Sequence, residues 1–105
     1  KIMDVQVGEN LLSGQLPPDW GTMTEIETLH AHQNLLTGPL PVEYGNLSRM
    51  RDLQLHQNQL TGSMPPEWQD LTDMQTFYLD QNRISGSLPP EYGNWSKVMD
   101  IRLFE

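Results

Sequence analysis

Cysteine is absent from the sequence. Its absence removes disulfides, thiolate metal sites and a cysteine nucleophile, and by itself says nothing of the compartment. Cations are scarce: six Lys and Arg stand against fourteen Asp and Glu, for a formal charge of −8 and a pI near 4.6. That balance disfavours nucleic acid and anionic membrane surfaces as partners. No apolar run approaches the length that spans a bilayer, so no membrane insertion by this segment is expected, and no signal peptide opens the chain. A Gly-rich phosphate loop after a strand is lacking, and no histidine has a buried carboxylate partner that spacing identifies. Neither an enzyme nor a cofactor is expected.

What is present is repetition. Asn10, Asn34, Asn58 and Asn82 recur every 24 residues, as do Gly14, Gly38, Gly62 and Gly86, and Pro17, Pro41, Pro65 and Pro89. Apolar positions keep step, with Val7, Ala31, Leu55 and Leu79 in one column and Leu12, Leu36, Leu60 and Ile84 in another. Turns 1–24, 25–48, 49–72 and 73–96, with a partial fifth at 97–105, account for all 105 residues as a single array. Two prolines per turn and a glycine between apolar positions argue against a bundle of amphipathic helices.

The spacing apolar-x-x-apolar-x-apolar-x-x-Asn-x-apolar is the leucine-rich-repeat signature. Met74, Phe77 and Leu79 place alternate side chains of a short strand inward, leaving Gln75, Thr76, Tyr78 and Asp80 on or near the outside. Asn82 and its counterparts at Asn10, Asn34 and Asn58 sit where the chain turns inward. Their amides are expected to form a ladder satisfied by backbone groups of adjacent coils. Gly86 and its equivalents suit a bend with positive φ. Pro-Pro-Glu fits the start of a short 3-10 or helical turn, with the carboxylate well placed at its N-terminus. One repeat cannot bury its own apolar face, so the coils must stack. The expected fold is an α/β-type leucine-rich-repeat solenoid. It has a parallel β-sheet on the concave face, short 3-10 or irregular turns on the convex face, and about four and a half uncapped coils.

Leu-Thr-Gly-Ser-Met-Pro-Pro-Glu-Trp at 60–68, with analogues at 12–18 and 84–90, resembles the extracellular 24-residue class familiar from plant receptor ectodomains. The slot after the prolines holds Trp20, Tyr44, Trp68 and Tyr92 instead of the leucine usual in plants. In this, and in Leu-Asp-Gln-Asn at 79–82, the chain resembles protozoan surface repeats, such as trypanosomatid surface antigens and proteophosphoglycans. Both resemblances imply an extracellular or cell-surface location and recognition or adhesion.

The solvent side of the strands is the first candidate surface. Its central column reads Gln6, His30, Gln54, Tyr78 and Arg102, and the next column Gly8, His32, His56, Asp80 and Phe104. Mixed imidazole, amide, phenol and carboxylate groups suit a protein or glycan ligand. The bland alternative is a solvated sheet face. His32, His56 and Asp80 form a conceivable zinc set, but a straight ladder matches tetrahedral geometry poorly, and no metal is expected. Asp19, Glu43, Glu67 and Glu91 could line a calcium row; their place after proline at a turn start already explains them. Asn46-Leu47-Ser48 and Asn94-Trp95-Ser96 are N-glycosylation sequons in the same slot of alternate turns.

Cysteine-paired caps, common in this class, are missing. Ile2, Val5 and Val7 are expected to lie open at one end and Val98, Ile101 and Leu103 at the other. Such edges invite pairing. The chain is therefore expected to be a segment of a longer protein or to stack with itself. The second functional reading follows: a structural building block joined end to end into a fibre.

Overall fold

Each 24-residue period closes into one coil. The structure, a computed structural model, describes residues 3–103; Ile2 of the first apolar edge and Phe104 of the outward column lie outside the described residues. Along the chain the elements are β1 (Met3–Gln6), β2 (Ser13–Gln15), η1 (Pro18–Thr22), β3 (Ile26–His30), β4 (Leu35–Pro39), η2 (Val42–Asn46), β5 (Asp52–Gln54), β6 (Gln59–Gly62), η3 (Pro66–Asp70), β7 (Thr76–Tyr78), β8 (Arg83–Ile84), η4 (Pro90–Asn94) and β9 (Asp100–Arg102), where η marks a 3-10 helix. The odd-numbered strands form a five-stranded parallel sheet in chain order, and the even-numbered ones a four-stranded parallel sheet. The first sheet and the 3-10 helices answer to the expected architecture. The second sheet was not anticipated.

Register is one coil per step: Val5 pairs with Leu29, Leu29 with Leu53, Leu53 with Phe77 and Phe77 with Ile101. Alternation then sends one set of side chains inward. Leu29, Leu53 and Phe77 are fully buried, joined by Met50, Leu55, Leu60, Leu71 and Met74 from the rest of the coil. The chain leaves each first-sheet strand through a left-handed corner at Glu9, Gln33, Gln57 and Gln81, with φ of 59°, 56°, 60° and 59°. A side chain there costs roughly 1–2 kcal/mol. Neighbouring coils hold the corner in place: the Glu9, Gln33 and Gln57 N–H groups donate to the carbonyls of His32, His56 and Asp80.

The asparagine side chain sits just past that corner and reaches back to the preceding coil. Asn58 Nδ2 donates to the carbonyls of Ala31 and Leu55 at 3.0 and 3.1 Å, while its Oδ1 accepts from Leu36 N–H at 3.1 Å. Asn34 serves Val7, Ala31, Leu12 and the Asn10 N–H in the same way, and Asn82 serves Leu55, Leu79 and Leu60. Asn34 and Asn58 are buried, Asn82 half-buried. Asn10 departs from the expected ladder: it is exposed, and its amide donates only within its own coil, to Val7 and Gly8. A backward-reaching group in the first coil has no earlier coil to bind among the described residues.

Behind the sheet, Pro17, Pro41, Pro65 and Pro89 hold extended backbone and start η1 to η4, each with an acid in its first turn. The aromatic two to three residues later points into the core and also reaches back. Tyr44 Oη donates to the Pro17 carbonyl at 2.9 Å, Trp68 Nε1 to Pro41 at 2.9 Å and Tyr92 Oη to Pro65 at 2.7 Å. Trp and Tyr therefore do here what leucine cannot: they fill the core and satisfy a carbonyl one coil away. Burial, and secondarily Glu43, pushes the Tyr44 phenol well above its ordinary value.

Candidate functional site

The five-stranded sheet has one face in the core and one in solvent, and register alone aligns the outward side chains into columns. Gln6 lies beside His30, His30 beside Gln54, Gln54 beside Tyr78, and Tyr78 beside Arg102. The column nearer the strand starts runs Asp4, Thr28, Asp52, Thr76, Asp100. Asp and Thr alternate in it, and Asp52 and Asp100 brace the central column. Asp52 accepts from His30 Nε2 at 2.9 Å and from Gln54 Nε2 at 3.2 Å. Asp100 accepts from Tyr78 Oη and lies 3.6 Å from Arg102 Nε. The Arg102 guanidinium in turn stacks over the Tyr78 ring, 4.4 Å from its centroid. His30 and Tyr78 each hold a carboxylate of the next coil, so four ligand-sized side chains stand with their rotamers already chosen.

The other column is held by rings. His32 and His56 stack in parallel, with centroids 4.7 Å apart and planes 4° apart. His30 meets His32 edge-on and Tyr78 meets His56 edge-on. His32 also leans over Gly8, where a Cβ would come within 2.6 Å of its Cε1. Burial, then the neighbouring His32, pushes the His56 imidazole below its ordinary value, with Asp80 opposing. His32 Nδ1, His56 Nδ1 and Asp80 Oδ1 are buried without a hydrogen-bond partner. Parallel rings cannot converge on one ion, and among the described residues no group of three His, Cys, Asp or Glu is placed to hold a metal. All eight expected binding residues, Gln6, His30, His32, Gln54, His56, Tyr78, Asp80 and Arg102, thus share one face. Asp52 and Asp100, which support them, were missed. The signal was the alternation of Asp-x-Gln/Arg with Thr-x-His/Tyr in successive strands.

Other candidate groups lie elsewhere. Asp19, Glu43 and Glu91, like Glu67, are exposed at the starts of η1 to η4. Asn46 and Asn94 are exposed at the ends of η2 and η4. Val5, Val7, Val98 and Leu103 are partly buried against the core, whereas Met99 and Ile101 are exposed. No helix among the described residues is long and apolar enough to cross a membrane.

Residues 49–71 and 73–95 match the Leucine Rich Repeat family. No curated protein matches the sequence. Among solved structures, the chain is similar to the leucine-rich-repeat ectodomain of the plant membrane receptor kinase GASSHO1/SCHENGEN3 from Arabidopsis thaliana, in complex with CASPARIAN STRIP INTEGRITY FACTOR 2. Identity there is 33% and the TM-score 0.91, over 93% of this chain and 12% of that one. The plant peptide hormone receptor RGFR1 in complex with RGF2 is 30% identical with a TM-score of 0.91, over 92% of this chain and 16% of that one. A TDR receptor is 33% identical with a TM-score of 0.89, over 97% of this chain and 18% of that one. The fold is that of a leucine-rich-repeat solenoid, similar to these plant receptor ectodomains, and the chain spans less than a fifth of the length of each of them.

Proposed function

We propose that the solvent face of the five-stranded sheet is the binding face of a non-enzymatic, extracellular or cell-surface recognition module, with a protein or peptide ligand. The bracing of His30, Gln54, Tyr78 and Arg102 by Asp52 and Asp100 carries this reading. Side chains already ordered lose little freedom on binding, which converts contact into affinity. Similar ectodomains solved with CASPARIAN STRIP INTEGRITY FACTOR 2 and RGF2 support a polypeptide ligand. A glycan ligand, and a role in adhesion, belong to the same face; the narrower likeness to trypanosomatid surface repeats favours them. Occupied sequons at Asn46 and Asn94 go with an extracellular location, and their exposure supports it. Mass spectrometry of native material tests occupancy.

The binding test is selection of peptides from a displayed random library on the immobilised protein. Selected peptides are expected to lose at least about tenfold in affinity for the Tyr78→Ala, His56→Ala double variant, consistent with truncation of an aromatic anchor. Unchanged affinity overturns the assignment. The second reading, end-to-end stacking into a fibre, has exposed Met99, Ile101 and Leu11 in its favour, at 78%, 38% and 84% exposure. Electron microscopy tests it: filaments with a roughly 5 Å axial repeat support stacking and discrete particles oppose it.

A further inference from the structure

We infer that the recess at Gly8 is a subsite for an organic cation, the guanidinium or ammonium group of a ligand side chain; this rests on the sheet-face reading above. The column Gly8, His32, His56, Asp80 has one position without a side chain, and a hollow of about 240 Å³ opens there, lined by Gln6, Gly8, Glu9, His30 and His32. The His32 ring bounds the hollow on one side. His56 lies flat on His32, and His32 leans over Gly8, so the imidazole stack is fixed against the backbone there. Edge-on packing of His30 against His32 makes a rigid aromatic wall, with ring centroids 5.8 Å apart.

The acceptors in this hollow distinguish it from the rest of the face. His30, Gln54, Tyr78 and Arg102 all spend a polar group on Asp52 or Asp100. Among the described residues, the Gln6 amide and the Glu9 carboxylate hold no such partner. Glu9 is the single residue of formal charge in the lining, and its backbone is pinned at φ 59° by the bond from its N–H to the His32 carbonyl. An unpaired carboxylate, an amide oxygen and an aromatic wall together suit a planar, hydrogen-bonding cation. A chain of formal charge −8 draws such a ligand in from a distance and turns acidic ligands away. At the strand-start edge, by contrast, the charges are already matched: Arg51 and Lys97 hold Glu27 and Asp73 at 3.0 and 2.9 Å.

The experiment is an NMR titration of the labelled protein with N-acetyl-arginine amide, alongside the glutamine and glutamate analogues. Saturable shifts confined to the Gly8 and Glu9 amides and the His32 ring are expected with the arginine probe, and not with the other two. Glu9→Gln should weaken the arginine probe at least about fivefold, and added salt should weaken it further. No saturable shift at these positions, or equal affinity for Glu9→Gln, overturns the subsite. A library-selected peptide that depends on Tyr78 and His56 yet ignores Glu9→Gln also overturns it, while leaving the sheet face assigned.

Discussion

Trp68 and Trp20 occupy the same slot of the repeat, as do Asn58 and Asn10, yet the third coil buries its pair while the first leaves Trp20 half-buried and Asn10 exposed. The residues are identical, so identity cannot be the cause. Both side chains reach backwards: Trp68 to Pro41 and Asn58 to Ala31, each 27 residues earlier. The glycine after the aromatic looks the other way. A Cβ on Gly45 would come within 2.6 Å of the Glu67 carbonyl oxygen in the following coil, whereas one on Gly93 meets nothing within 4 Å. Coil-to-coil contact in this solenoid is therefore directional, and a repeat residue is worth what its neighbour on the relevant side makes of it.

Matched substitutions in the two coils break or sharpen that comparison. Trp68→Ala empties a fully buried site and removes one of the two donors to the Pro41 carbonyl, and should cost about 4 kcal/mol. Trp20→Ala, half-buried, should cost about 1–2 kcal/mol by partial loss of buried area. Urea midpoints at constant slope measure both. Equal losses would mean that packing behind each coil, and not the preceding coil, sets the energy. Asn58→Ala leaves the Leu36 N–H without its acceptor and takes one of two amide donors from each of the Ala31 and Leu55 carbonyls, for about 2 kcal/mol. Asn10→Ala removes only exposed bonds within its coil and should stay within about 0.5 kcal/mol.

Smaller effects follow from the forward-looking glycine and from the buried phenols. Gly45→Ala forces a methyl against backbone and should cost about 2 kcal/mol, while Gly93→Ala should lie within about 0.5 kcal/mol of wild type. The Tyr44 and Tyr92 phenols are raised chiefly by burial. A raised folded value means that their contribution is whole below the unfolded value of 10.0 and fades as pH rises beyond it. Stability measured by urea at pH 9 and pH 11 should therefore fall across that interval, and fall less in Tyr44→Phe. His56 has the opposite sense: its lowered imidazole makes stability fall as pH drops through 6.5, and His56→Gln should flatten that slope.

Much of this architecture was legible because main-chain requirements repeat with the chain. Asn34, Asn58, the prolines and the inward Leu53 and Phe77 each answer a demand of one coil, so period and residue type sufficed to place them. The second sheet escaped because β8 is two residues long and β4 carries Gly38 and Pro39, residues that read as a bend. Its glycine does bend, with φ of +80°, while still pairing with Leu60. The corner at Gln33 and Gln57 escaped for another reason: glutamine has no preference for left-handed backbone, and the bond to the next coil holds it there. On the candidate face, the columns were readable from the two-residue alternation of a strand. The bonds within them were not, since His30 and Asp52 are 22 residues apart in sequence and meet only through register.

Asp100→Asn tests that last layer with the least disturbance to the fold. The Tyr78 phenol is raised first by its hydrogen bond to Asp100 and next by burial, with the Arg102 guanidinium pulling the other way. An amide at position 100 keeps an acceptor but removes the charge. Tyr78 should then ionise at lower pH, while Tyr44 and Tyr92, raised mainly by burial behind the sheet, should not move. Ultraviolet difference titration separates the two behaviours. A Tyr78 titration unchanged in Asp100→Asn would show that the phenol is not held by that carboxylate. The Tyr78 end of the central column would then be free to rotate, leaving only His30 and Gln54, held by Asp52, to meet a ligand already ordered.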